Sequence, residues 1–169
     1  MSAWAHGPSG AARFVGSHRY GPGMPDELLD DEGHPDASAI IGKFWHRDGP
    51  HTPESVRSAA LAIDELTHYL ARATWRRHVL PSGPALYEFV GELRSAIGRL
   101  DQVLDQAARH AGALVDDPTL YDDRRDGRDP AQTAREVQGG LDAARVVLGP
   151  VAEALGQTHS ASGHLGHDT

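Results

Sequence analysis

The stretch "PALYEFVGELRSAIGRLDQVLDQAARHAGAL", residues 84–114, carries apolar residues at alternating intervals of three and four. That spacing places them along one side of an α-helix. Pro84 suits the first turn of a helix, with Ser82 or Gly83 as its cap, so the stretch predicts a helix about 45 Å long. The apolar stripe consists of Leu86, Phe89, Leu93, Ala96, Leu100, Val103, Ala107 and Leu114, and it is widened by Val90, Ile97, Leu104 and Ala111.

A second stripe with the same spacing precedes this one, in residues 52–80. Thr52 is a suitable N-cap, and Pro53 suits the first helical position. Pro81 disfavours helical geometry at Leu80, so the helix is predicted to end there. Because the connection "PSGP" is short, the two helices are predicted to form an antiparallel hairpin. The stripe consists of Val56, Ala59, Ile63, Leu66, Leu70 and Ala73.

A third stripe follows a charged loop, 116–129. Asp129 and Pro130 suit the N-cap and first helical position, and Gln132 completes an approximate capping box. Pro150 is predicted to kink this helix, because proline removes a backbone hydrogen bond. The chain is therefore predicted to be all-α, as an up-down-up three-helix bundle with a long antiparallel hairpin and a proline-kinked third helix. The third stripe consists of Ala134, Val137, Leu141, Ala144, Leu148, Val151 and Leu155.

The bundle is predicted to occupy residues 52–157, between a mostly irregular N-terminal arm (1–51) and a disordered C-terminal tail (158–169). The arm is rich in glycine, proline and histidine, which favour turns. Its apolar cluster lies in residues 38–49, where a short helix would present Phe44 and Trp45 together with two isoleucines. An exposed cluster of this kind marks an interface, so we expect it to dock on the protein's own helices or on a partner.

The composition excludes several classes of site. The 169 residues include no cysteine, which rules out disulfides, thiolate metal sites, iron–sulfur clusters and thiol catalysis. The net charge of −8 argues against general binding to nucleic acid, which depends on clustered basic side chains. No apolar run is long enough to cross a bilayer, and the N-terminus lacks the features of a signal peptide. We therefore expect a soluble, cytoplasmic protein without membrane contact.

The histidines and carboxylates predict no metal site and no cofactor. Glu65 and His68 have Glu-x-x-His spacing, but the helical period puts both on the solvent side, and no second such motif follows. His159, His164 and His167 lie in a Gly/Ser-rich tail that would not pre-organise them as ligands. His110 shares a stripe position with Phe89, so we expect it to be a partly buried core residue.

The sequence offers no catalytic residues. The triplet "HRD" at 46–48 matches part of the kinase catalytic loop, but no glycine-rich phosphate loop, strand lysine or Asp-Phe-Gly accompanies it. The chain also contains no P-loop, dinucleotide fingerprint or nucleophile elbow. These observations favour a non-enzymatic protein.

The end of the first predicted helix is the basic part of the chain. Arg72, Arg76 and Arg77 fall in its predicted last turns, where cations interact favourably with the negative helix end. Trp75 falls among them, on the side opposite the stripe, and an aromatic among arginines suits contact with an acidic partner or with the arm. The candidate interaction surface is therefore Phe44, Trp45, Arg72, Trp75, Arg76 and Arg77.

The composition and the ending "LGPVAEALGQTHSASGHLGH", residues 148–167, resemble small α-helical proteins of high-GC actinomycetes. The resemblance covers the helical part of the chain. It implies an α-helical fold, and it implies neither an activity nor the role of any residue.

The sequence as a whole predicts a helical protein–protein interaction module or a regulatory accessory module. Its partner would be another protein or a second copy of the chain. A homodimer is favoured because stripes so rich in alanine bury little apolar area, and pairing would add a shared core. A small-molecule or metal-binding helical bundle and a DNA-associated accessory protein are the alternatives.

Overall fold

The structure, a computed structural model, describes residues 23–124 and 126–166. Within these ranges the chain is all-helical and has no strand, as predicted. The four α-helices of this part are α1 (Ala37–Phe44), α2 (Pro53–Ala73), α3 (Gly83–Ala113) and α4 (Pro130–Ser162). Short 3-10 helices at Asp26–Leu28 and Leu114–Asp116 accompany α1 and α3.

The chain divides into two compact units, Met1–Tyr69 and Leu70–Thr169, and the division falls inside α2. In the first unit, Asp36 caps α1, because its carboxylate accepts hydrogen bonds from the backbone N–H groups of Ser38 (2.8 Å) and Ala39 (3.0 Å). Lys43 near the end of α1 forms an ion pair with Glu27 of the first 3-10 helix. The short helix expected within residues 38–49 is thus confirmed.

The N-terminus of α2 is capped as the sequence predicted. The Thr52 hydroxyl accepts a hydrogen bond from the Ser55 N–H (3.2 Å), and the Ser55 hydroxyl oxygen accepts one from the Thr52 N–H (3.0 Å). The prediction that this helix ends near Leu80 is wrong, since α2 ends at Ala73. The Arg76 N–H bonds to the Ala73 carbonyl three residues back (3.0 Å), which closes a tight turn instead of continuing the α-helix.

The apolar stripe of α2 lies uncovered. None of the residues of this helix is buried, and Leu66 in the middle of the stripe is 57% exposed. Val56 and Ile63 on the same stripe are also exposed. An amphipathic helix normally gains most of its stability by burying its apolar side.

In the second unit, α3 packs along α4 as an antiparallel pair. Ser82 caps α3 by accepting from the Ala85 N–H (3.3 Å), and Asp129 caps α4 by accepting from the Ala131 N–H (3.0 Å), as predicted. The capping box predicted for Gln132 is wrong: its amide donates to Glu136 one turn later (3.3 Å). The up-down-up three-helix arrangement stays a prediction.

The contact line between α3 and α4 lies to one side of the predicted stripes. The fully buried apolar residues of the hairpin are Val90, Ala108, Ala111 and Ala134, and larger residues such as Leu104 and Leu148 are half-buried. Stripe residues outside this line are left open, and Val103, for example, is 55% exposed. His110 is exposed as well, so the expectation of a partly buried histidine is wrong.

The end of α4 lies beyond the predicted boundary of the bundle. The helix runs through Pro150 and continues to Ser162, whose side chain is buried. The Thr158 hydroxyl donates to the Ala154 carbonyl (2.8 Å), as helical serines and threonines do. Residues 158–162, assigned to the tail from their composition, therefore continue the helix, and the kink at Pro150 stays a prediction.

Candidate interaction surface

Phe44 and Trp45 lie side by side at the end of α1. Phe44 is the last helical residue and is 59% exposed, and Trp45 is the C-cap and is half-buried. Their rings meet edge to face, with centroids 6.1 Å apart and an interplanar angle of 62°. The Nζ atom of Lys43 lies 6.0 Å from the centroid of the Phe44 ring, at the outer limit of a cation–π contact.

These two aromatic residues line a cavity of about 400 Å³ in the first unit. Arg47 and His51 line it beyond α1, and Val56 at the start of α2 contributes an apolar wall. Lys43 and Arg47 are its charged lining residues, so every formal charge at the cavity wall is positive. The cavity is of the size of small-ligand sites and favours an apolar group that carries a negative charge.

Of the four residues predicted at the basic end of the first long helix, one lies in α2 and three lie in the connection after it. Arg72 is in the last turn of α2, where the favourable interaction with the helix end applies. Trp75, Arg76 and Arg77 lie after the helix, in the connection to α3, so their placement in helical turns is wrong. Trp75 is 90% exposed, and both arginines are exposed.

The structure thus brings together Phe44 with Trp45, and separately Trp75 with Arg76 and Arg77. The two groups belong to different units of the chain. A tryptophan this exposed in a basic segment remains available for contact with a partner.

The histidines and carboxylates form no metal-binding group of three or more within residues 23–124 and 126–166. Glu65 and His68 are both exposed on α2. His159 does not lie in a loose tail: its ring stacks on that of Tyr87, with centroids 4.0 Å apart. His164 is exposed, and His167 lies outside the described residues.

One side of the α3–α4 hairpin is polar. Arg145 of α4 contacts Asp101 (3.3 Å) and Asp105 (2.6 Å) of α3, and Asp142 of its own helix (3.7 Å). The Tyr87–His159 stack lies along the same side, because Tyr87 is two heptads before Asp101 and His159 is two heptads after Arg145. Ion pairs and ring stacking therefore fix the antiparallel register of the two helices.

The opposite side of the hairpin is apolar, and its residues are exposed or half-buried. Because both helices direct the polar pairs to one side, the residues on their other borders share the second side. Val103 of α3 and Val137 of α4, with 55% and 51% exposure, represent it. We call this surface the apolar side of the hairpin; it comprises Phe89, Leu93, Ala96, Leu100 and Val103 of α3, and Val137, Ala144, Val147 and Val151 of α4.

Sequence reasoning found these residues but assigned them to the core of the bundle. The signal that distinguishes the two sides is the position of the charged residues along the helices. Asp101 of α3 and Arg145 of α4 have opposite charges and form an ion pair. When these two residues face each other, the apolar stripe of α3 lies on the side of the hairpin away from the pair.

The loop before α4 contains a tight group of three polar side chains. Arg124 donates to both oxygens of Asp122 (3.0 and 2.7 Å), and the Thr133 hydroxyl of α4 donates to the same carboxylate (2.6 Å). These hydrogen bonds, from Arg124 first and Thr133 second, hold the pKa of Asp122 well below its usual value. The group ties the loop to the first turn of α4.

No protein-family model matches the chain, and neither a curated protein sequence nor a solved structure is significantly similar to it. In the part of the chain that the structure describes, no helix has both the length and the hydropathy needed to cross a membrane. The functional conclusion therefore rests on the surfaces described above.

Proposed function

We propose that this protein is a non-enzymatic helical interaction module, whose α2 stripe binds an acidic amphipathic helix of a partner protein. The observation that carries the proposal is the exposure of Val56, Ile63 and Leu66 on the α2 stripe, in a 21-residue helix of which no residue is buried. A continuous apolar stripe of this length is the surface that a helix-in-groove or helix-pairing partner uses.

The charge of this segment specifies the kind of helix that it fits. Residues 52–80 carry arginines at 57, 72, 76 and 77 against acids at 54, 64 and 65, whereas the chain as a whole has a net charge of −8. Arg72, Arg76 and Arg77 form the basic end of this segment, and acidic residues in the part of the partner's helix that lies there would face them. Complementary charge of this kind raises the association rate and excludes basic helices.

The aromatic pair adjoining the cavity supplies a second contact. Phe44 and Trp45 are large aromatic side chains, which dominate binding energy when a partner covers them. The basic cavity next to them favours an acidic or carboxylate-bearing partner, in agreement with the charge of residues 52–80. A second candidate function is the binding of a small apolar carboxylate in the same cavity. Native mass spectrometry would detect such a ligand as an added mass.

The up-down-up three-helix bundle predicted from the three stripes is the competing arrangement. In it the α2 stripe would have an intramolecular partner and would not be available to another protein. The proposed function and this bundle therefore make opposite predictions about the stripe of α2.

Titration of a fluorescent acidic amphipathic peptide with the full-length chain tests the proposal. The peptide has leucine at its a and d positions and glutamate at its e and g positions, and its control has lysine in place of glutamate. We expect saturable binding of the acidic peptide, weakened by salt, and at least about tenfold weaker binding of the basic one.

A matched pair of variants locates the binding site. Ile63→Gln with Leu66→Gln removes the centre of the stripe, whereas Glu65→Gln with His68→Gln changes the opposite side of the same helix. We expect the first pair of changes to abolish peptide binding and the second pair to retain it. Equal binding by both variants, or equal binding of both peptides, would refute the proposed function.

A further inference from the structure

Few apolar side chains of the α3–α4 hairpin are fully buried. They are one valine and three alanines, Val90, Ala108, Ala111 and Ala134, whereas larger residues such as Leu104 and Leu148 are only half-buried. Burial of apolar area provides the main stabilisation of a helical fold, and small side chains contribute little of it. The apolar side of the hairpin, with Val103, Val137 and Val147 more than half exposed, is the surface whose burial would supply the rest.

The apolar side of α3 has a self-complementary sequence pattern centred on Ala96, which is exposed. Phe89 and Val103 lie at equal distances in sequence from it, one on each side. If two α3 helices cross antiparallel with Ala96 at the centre, Phe89 of each lies opposite Val103 of the other. The small Ala96 side chains at the centre let the two helix axes approach closely.

The charges bordering this side are self-complementary as well. Glu92 and Arg99 lie on the outer border of the apolar side of α3, almost symmetrically about Ala96, and both are exposed. Within the described residues neither takes part in an ion pair. In the same antiparallel crossing, Glu92 of one copy lies beside Arg99 of the other, so each interface contains two such pairs.

We infer that the chain forms a homodimer in which the apolar sides of two hairpins pack about a two-fold axis near Ala96. The inference deepens the proposed function, since it names a second copy as one partner, but it uses a different surface from the α2 stripe. Over residues 89–103 this side is about 22 Å long and roughly 20 Å wide. Two copies would bury about 900 Å² in total, which is the size of a weak, reversible interface.

Disulfide cross-linking gives a direct test, because the chain contains no cysteine. Ala96→Cys places a thiol next to the two-fold axis, within disulfide reach of its symmetry mate. Ser95→Cys places a thiol at the neighbouring exposed position, which faces away from the axis. Under mild oxidation at micromolar concentration, we expect the full-length Ala96→Cys chain to form a covalent dimer, and the Ser95→Cys chain to remain uncross-linked.

Sedimentation equilibrium of charge variants provides the second measurement. Ala96→Glu places two carboxylates against each other at the axis and should weaken the dimer at least about tenfold, whereas Ser95→Glu should leave it unchanged. Glu92→Arg should weaken the dimer by placing like charges together, and Glu92→Arg combined with Arg99→Glu should restore it. All four substituted sites are exposed, so far-UV circular dichroism should remain that of the unmodified chain.

A wild-type chain that stays monomeric up to about 100 µM, well above the Kd of ordinary interfaces, would overturn the inference. So would a dimer that Ala96→Glu leaves unchanged, which would place the interface elsewhere. A monomer in which α2 covers the apolar side of the hairpin would also overturn it, and hydrogen–deuterium exchange would reveal this arrangement as strong protection of the α2 amides. Failure of dimerisation with retained binding of the acidic peptide would reject the homodimer and leave the proposed function standing.

Discussion

At the scale of single residues, Asp122 is the side chain whose ionisation matters most to the second unit. Its side chain is only 6% exposed, although it lies in a highly charged loop. The hydrogen bonds from Arg124 and Thr133 favour its ionised form and lower its pKa in the folded chain. A carboxylate whose pKa is lower in the folded state stabilises that state above the unfolded pKa, and the effect is lost as pH falls.

We therefore predict that Asp122→Asn lowers the melting temperature at pH 7 by about 2–5 °C. The difference from the wild type should shrink as the pH falls below about 4, the unfolded pKa of aspartate, because the wild-type carboxylate then loses its advantage. Thermal melts followed by circular dichroism between pH 7 and pH 2.5 would measure this.

Asp123→Asn is the matched control, since it removes the same charge from the adjacent exposed residue. We expect it to change the melting temperature by less than about 1 °C at any pH in this range. A pH-independent loss in Asp122→Asn, or an equal loss in Asp123→Asn, would contradict the account of the loop.

Residue-scale features of the sequence were predicted well where they depend on neighbours in the chain. Thr52, Ser82 and Asp129 cap their helices as expected, because a cap is formed within one turn of backbone. Gln132 does not form the predicted capping box, since its side chain is directed along the helix and donates to Glu136 on the next turn. The prediction that Trp75 lies in the first long helix was wrong because α2 ends at Ala73. No proline or glycine marks that end in the sequence.

At the scale of helices, the positions of glycines show where elements approach closely. A Cβ atom added at Gly83, the first residue of α3, would lie 2.3 Å from the Leu165 carbonyl oxygen and 2.7 Å from its Cβ. A Cβ added at Gly98, in the middle of the same helix, would meet no atom within 4 Å. The two positions therefore separate the effect of a close contact from the general effect of glycine in a helix.

We predict that Gly83→Ala destabilises the chain by about 1–3 kcal/mol, because the backbone after α4 must move. Gly98→Ala should stabilise it by about 0.5–1 kcal/mol, since alanine loses less backbone entropy in a helix. Urea unfolding followed at 222 nm measures both values. If both variants were stabilised alike, the packing of the residues after α4 against the start of α3 would be wrong.

The sequence predicted which segments form helices, but it did not predict which side of each helix contacts its neighbour. The stripes of α3 and α4 are wider than one neighbouring helix covers, so the period alone does not select the contact line. The Asp101–Arg145 and Tyr87–His159 pairs select it, and these depend on register between residues far apart in sequence. The apolar side of the hairpin was therefore assigned to a core, although it is exposed.

At the scale of the whole molecule, the described helices carry apolar residues that are exposed. Leu66 on α2 and Val103 on α3 are both more than half exposed, which a well-packed helical core would not permit. Each surface has a different proposed occupant: an acidic helix for the α2 stripe, and a second copy for the apolar side of the hairpin. The two experiments described above separate these occupants.

The proposed function requires that the α2 stripe be open in the free chain and available to a partner. Hydrogen–deuterium exchange of the full-length protein measures it directly, because a helix without tertiary packing is only marginally stable in water. We expect the amides of α2 to exchange at least about tenfold faster than those of α3 and α4, and the acidic peptide to slow them. Protection of α2 equal to that of the hairpin, with no peptide present, would contradict the claim and support a closed three-helix bundle.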